Sequence, residues 1–171
     1  MAVNNQRGRT VLAAASAAAL IALTAGCTNP SSTASAPETA GGTTALGRAE
    51  VRAPGVDLTV THAVAHLNHA GDGTLTMEVR NEDGVPEHLG MVATPGGGRG
   101  TLVGGRSDEG NGALSVAGIM VQSGTTVTFG GSGPRVMLRH VQGVTAHHTL
   151  PISLQFGVAG LVRLQARVAA V

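Results

Sequence analysis

Val116–Leu138, VAGIMVQSGTTVTFGGSGPRVML, decides the fold. Thr125, Val127 and Phe129 alternate with Thr126 and Thr128. A half-buried strand needs this period of two, because successive side chains leave opposite faces of the backbone. Gly130, Gly131 and Gly133 follow; lacking a Cβ, they let the chain reverse. A second strand starts beyond them, with Val136, Leu138 and His140 on one face and Arg135, Met137 and Arg139 on the other. Upstream, Ile119 and Val121 begin a short strand, and Ser123-Gly124 is a tight turn.

The same pattern recurs outward from this stretch. Leu58 and Val60 start a strand whose parity slips near His62, since Ala63, Ala65 and Leu67 carry the apolar side afterwards. A bulge or two short strands would both produce that slip. Leu75, Met77 and Val79 alternate with Thr74, Thr76, Glu78 and Arg80. Leu89, Met91 and Ala93 suggest another strand, and residues 99–115 read as a poorly patterned loop. Ile152, Leu154 and Phe156 pair across Gly157 and Gly160 with Val162, Leu164, Ala166 and Val168. About seven short strands with no convincing helix predict an all-β, antiparallel Greek-key sandwich over residues 48–171.

Composition limits what such a domain can do. Hydrophobic residues make up 42% of the 171, but aromatics only 1%, with no Trp or Tyr. Aliphatic side chains must therefore fill the core, and stacking platforms for nucleic acid or sugar are missing. All eleven basic residues are Arg, set against ten acids and not clustered. Nucleic acid is thus not an expected partner.

The first 26 residues read as an export signal. Arg7 and Arg9 precede an apolar run from Val11 to Ala22, interrupted only by Ser16. That run is too short for a spanning helix, and small residues close it. Leu23-Thr24-Ala25-Gly26-Cys27 then resembles the lipobox of bacterial lipoproteins, in which the Cys becomes the lipidated first residue. Cys27 is the single Cys, so it has no internal disulfide partner. The resemblance implies acylation of Cys27 and anchoring on the extracytoplasmic face of the cell membrane. After Cys27, residues 28–47 are mostly Ser, Thr, Ala, Gly and Pro without periodicity, so 27–47 reads as the anchor residue and a flexible tether.

Three segments of the domain resemble the periplasmic copper chaperone family PCu(A)C. They are Leu75–Pro95 (LTMEVRNEDGVPEHLGMVATP), Val116–Leu138 and Ile152–Val168. The resemblance implies a cupredoxin-like sandwich and handling of Cu(I) for delivery to cuproenzymes. It also implies a His, Met, His, Met ligand set, because soft thioether and imidazole donors suit Cu(I). The family's spacing leaves ten, twenty-one and one residues between successive ligands, and laid on this chain it puts the four positions at Leu102, Ala113, Arg135 and Met137. Only Met137 matches. Arg135 sets a permanent cation where a cation should bind.

Other donors are Met120, His140 and the adjacent His147 and His148, which could form a relocated site. Enzymatic chemistry finds no support. There is no Gly-x-Ser-x-Gly elbow, and the acidic pairs Glu82-Asp83 and Asp108-Glu109 place neighbouring carboxylates apart. Gly96-Gly97-Gly98-Arg99-Gly100 lacks the strand-to-helix setting of a phosphate loop. Two functional readings remain: a membrane-anchored copper-handling lipoprotein, or a non-metal interaction module that retains the sandwich alone.

Overall fold

The computed structural model describes residues 42–105 and 110–171. The signal segment, Cys27 and the tether up to residue 41 lie outside the described residues. Twelve strands follow in order: β1 (Gly42–Ala45), β2 (Arg48–Ala53), β3 (Val56–Leu67), β4 (Gly73–Asn81), β5 (Glu87–Ala93), β6 (Arg99–Val103), β7 (Leu114–Ser115), β8 (Gly118–Val121), β9 (Thr125–Phe129), β10 (Arg135–Leu138), β11 (Thr149–Phe156) and β12 (Leu161–Ala170). The described residues contain no α-helix; a single 3-10 turn occupies Pro95–Gly97. The all-β expectation holds.

Seven of these strands close a ring. It runs β3, β12, β11, β5, β6, β10 and β4, and β4 returns to β3. The expected two-sheet sandwich is therefore joined along its edges into a barrel, which leaves fewer backbone donors unpaired than two open sheets would. Strands β1 and β2 extend the sheet beyond β3, β9 pairs with β4, and the β7–β8 hairpin lies on β5. Two contacts depart from the antiparallel expectation: β12 runs parallel to β3, and Leu46 makes an isolated parallel bridge to Gln165.

The core follows the alternation. Leu75, Met77, Val79, Val127, Phe129, Val136, Leu138, Leu150, Ile152, Leu154 and Phe156 are all buried. The two Phe side chains are the largest in it. Burial of each contributes roughly 1.5–3 kcal/mol. The parity slip near His62 is a bulge: the β3–β4 register shifts between Thr61 and Val64, and His62 adopts φ 55°. Leu58 and Val60 point inward before the bulge, and Ala63, Ala65 and Leu67 after it. Imidazole tolerates the left-handed region better than a branched side chain does.

Four readings are corrected. Residues 99–103 are not loop but β6, a ring strand between β5 and β10. Its Gly100 sits where a Cβ would lie 2.7 Å from Val136 Cγ1, so close packing replaced the alternation that would have revealed it. Residues 42–45, assigned to the tether on composition, pair with β2 as β1. Main-chain hydrogen bonds can hold a strand whose side chains are all exposed. In β5, Leu89 and Val92 are buried, while Met91 and Ala93 are half-buried. The partners of Phe156 and Gln155 are Leu89 and Met91, so an extra residue shifts the parity at Gly90. Finally, β10 ends at Leu138, and His140 leaves it at φ 48° with its side chain in solvent.

Two buried polar groups fix the end of the barrel at which β4 finishes. Asn81 donates through Nδ2 to the carbonyls of Val85 (2.8 Å) and Val121 (3.2 Å). Its Oδ1 accepts from the Asp83 amide at 3.1 Å. Glu87, only 3% exposed, accepts from the amides of its own neighbour His88 and of Gly157, Val158 and Ala159. These bonds span 2.7–3.0 Å and hold the β11–β12 hairpin against the start of β5.

Candidate metal centre

The four positions implied by the copper-chaperone resemblance fall on β6, the turn before β7, and β10. Register decides what they can share. Arg135 pairs with Val103, Val136 with Leu102, and Met137 with Thr101. Directly paired residues lie on the same face of a sheet. Val136 is buried and Leu102 packs on the core, so this pair points inward. Arg135 is exposed and Met137 half-buried, so they point outward. Leu102 thus lies on the opposite face from the other two.

Ala113 sits in a turn, its amide donating to the Gly110 carbonyl at 3.0 Å. The neighbouring Gly112 packs on Pro134, since a Cβ there would lie 3.2 Å from the proline ring. The segment that carries Ala113 is therefore beside the segment that carries Arg135. Together the four positions offer one thioether, one guanidinium and two hydrocarbon side chains. They do not fit a copper ion: a lone thioether is a weak donor, and the guanidinium repels the metal.

The relocated set is not brought together either. Met120 is on β8, whose neighbour Val121 is tied to Asn81 at the last residue of β4. The His140 amide donates to Asp72 Oδ1 at 2.7 Å, one residue before β4 begins. Eight residue steps along a strand separate those ends by about 26 Å. His147 and His148, though adjacent, line different cavities. His147 borders a groove of about 630 Å³ with Leu46, Pro151 and Arg163. His148 borders a hollow of about 320 Å³ with His69 and Val168. His148 also has φ 53°, in the left-handed region. Among the described residues no three His, Cys, Asp or Glu side chains gather as a metal-holding group.

On β2, the Arg48 guanidinium hydrogen-bonds Glu50 and holds its carboxyl below the usual carboxylate range. That cation is already matched by an anion, and it lies on a different strand from Met137. Glu87 was not singled out in the sequence. A single acid opening an apolar strand carries no local sign that four amides will surround it, because three of them come from about 70 residues away.

No protein-family model matches the chain, and no curated protein matches it. Solved structures do. An apo PCuAC domain from PmoF1 superposes with a TM-score of 0.53 at 20% identity, covering 67% of this chain and 94% of that one. A copper-bound PCuAC domain from PmoF2 gives 0.52 at 20% identity, covering 67% and 93%. The apo PmoF2 PCuAC domain gives 0.53 at 20% identity, covering 66% and 90%. The chain has a PCuAC-like fold. At this identity the likeness establishes the fold.

Proposed function

We propose that this chain is an extracytoplasmic lipoprotein, anchored through Cys27, whose PCuAC-like domain handles Cu(I). The observation that carries the reading is the superposition over nearly the whole of a copper-bound PCuAC domain. Export and the anchor rest on the lipobox-like run Leu23–Cys27. A copper-receiving protein at the outer face of the membrane is the partner this reading implies. The test is a competition titration of the purified chain with Cu(I) and a chelator of known affinity, under reducing conditions. Uptake of one equivalent supports the reading. Uptake should be unchanged in Met137→Leu, because Met137 has no matching donors beside it.

One observation favours a second reading. Arg135 is exposed on the outer face, where a guanidinium can engage a carboxylate on another protein. A non-metal interaction module would take up no Cu(I) in the same titration. The anchor is tested separately. Intact mass of the chain recovered from membranes should show acyl groups on Cys27, and Cys27→Ser should release the protein into the soluble fraction. An unmodified Cys27 in the mature chain would remove the anchor.

A further inference from the structure

The register of β8 against β5 places one imidazole opposite one thioether. His88 is directly paired with Met120, between the pairs Glu87–Val121 and Leu89–Ile119. The main chain of Met120 turns the other way: its amide donates to the Ala113 carbonyl at 3.0 Å, and its carbonyl accepts from Gly112 at 2.8 Å. The His88 carbonyl likewise turns to the β11–β12 connection, accepting from the Gly157 amide at 3.0 Å. His88 and Met120 therefore form a non-hydrogen-bonded antiparallel pair. In such pairs the Cα atoms approach to about 4.5 Å and the side chains are closest.

The surroundings suit a soft ion. Both residues are half-buried, so their donors are partly withdrawn from water. Ile119, Val121 and Leu89, which flank them, are fully buried and hold the two strands in register. Gly110 lies against the Met120 sulfur, with 4.0 Å between Sδ and the place a Cβ would occupy. Gly110 itself puts no side chain over the thioether. Glu87, next to His88, is committed to backbone amides. The nearby polar group Gln122 is uncharged.

We propose that His88 and Met120 are the Cu(I) site of this chain, away from the positions Leu102, Ala113, Arg135 and Met137. A thioether selects Cu(I) over harder divalent ions, and imidazole completes a low-coordinate site that Cu(I) accepts. This inference rests on the copper-handling reading. It names the residues that carry that function in place of the expected positions, three of which hold no donor.

The test is Cu(I) competition titration of the full chain and three variants, His88→Ala, Met120→Leu and Met137→Leu. Met120→Leu preserves volume and leaves the fold in place, and circular dichroism checks this. The expected result is one equivalent bound by the parent, affinity lowered about tenfold or more in His88→Ala and in Met120→Leu, and no change in Met137→Leu. Parent-like binding in both His88→Ala and Met120→Leu would overturn the site and leave copper handling standing. Loss in Met137→Leu alone would return the metal to β10. No uptake by the parent would overturn both the site and the copper reading.

Discussion

Replacing Glu87 with Ala is expected to lower the stability of the domain by about 4 kcal/mol. Four backbone amides point at this carboxylate; those of Val158 and Ala159 have it as their acceptor, and that of Gly157 shares it with the His88 carbonyl. Hydrogen bonds to a charged group contribute roughly 1.5–3 kcal/mol each, and a buried donor left unmatched costs about 1–3 kcal/mol. These contributions overlap, because one carboxylate serves all four, so the whole is well short of their sum. For a domain of this size the loss corresponds to roughly 10–20 °C in Tm. Glu87→Gln should recover little of it. Its carbonyl oxygen can serve part of the set, but its NH₂ group faces donors. A thermal melt followed by circular dichroism reads the effect. A shift of only a degree or two in Glu87→Ala would mean that the hairpin is held by its apolar contacts alone.

The second large effect is expected at Gly118, the first residue of β8. Its φ is 122°, a region that side chains avoid, and a Cβ there would meet the Leu89 carbonyl oxygen at 2.2 Å and its carbon at 2.6 Å. Those atoms are backbone of β5 and cannot swing aside. Gly118→Ala must therefore either push β8 off β5 or force the turn at Ser115–Gly118 into another shape. Strained dihedrals cost about 1–3 kcal/mol, and overpacking a close contact adds about 1–3 kcal/mol. A loss of about 3 kcal/mol or more is expected. Gly124→Ala is the matched control. Gly124 also has positive φ, at 70°, but a Cβ there meets nothing within 4 Å. It should lose only about 1–2 kcal/mol, the strain of the left-handed conformation alone. Equal losses in the two variants would show that the β5–β8 contact is loose, and the His88–Met120 pairing would then not be fixed.

Much of the barrel was legible because its strands obey a local rule. The alternation in β4, β9, β11 and β12 names their buried residues correctly, since one face of each meets the core. The slip at His62 was visible as a change of parity, although only the register distinguishes a bulge from two strands. What failed was whatever depends on neighbours. β6 is hidden because Gly100 and Thr101 give it no apolar face of its own. β1 is hidden because only its main chain is used. The alternation of Leu89, Met91 and Ala93 misleads about β5, because an extra residue there cannot be seen without its partner β11.

The site was less legible than the fold, for a related reason. Spacing along a chain carries a ligand set only while the chain holds the donors. Here Leu102, Ala113 and Arg135 keep the spacing and lack the chemistry. His88 and Met120 are 32 positions apart in a different arrangement, and nothing in sequence separation marks them as opposite each other. The bulge-free pairing of Glu87–Leu89 with Ile119–Val121 does so directly. The three non-glycine residues with positive φ among those described are all His (His62, His140 and His148), and none of them lies on β5 or β8. A count of histidines alone therefore overstates the number that can act together.

The most direct measurement of copper handling is the copper K-edge X-ray absorption spectrum of the chain after loading with Cu(I) and removal of unbound metal. The expected result is a low-coordinate Cu(I) edge with a shell containing both sulfur and nitrogen, the sulfur retained in Met137→Leu. Copper that washes away entirely would contradict the copper-handling reading of this barrel, and retained copper with a shell of oxygen and nitrogen without sulfur would contradict the His88–Met120 site.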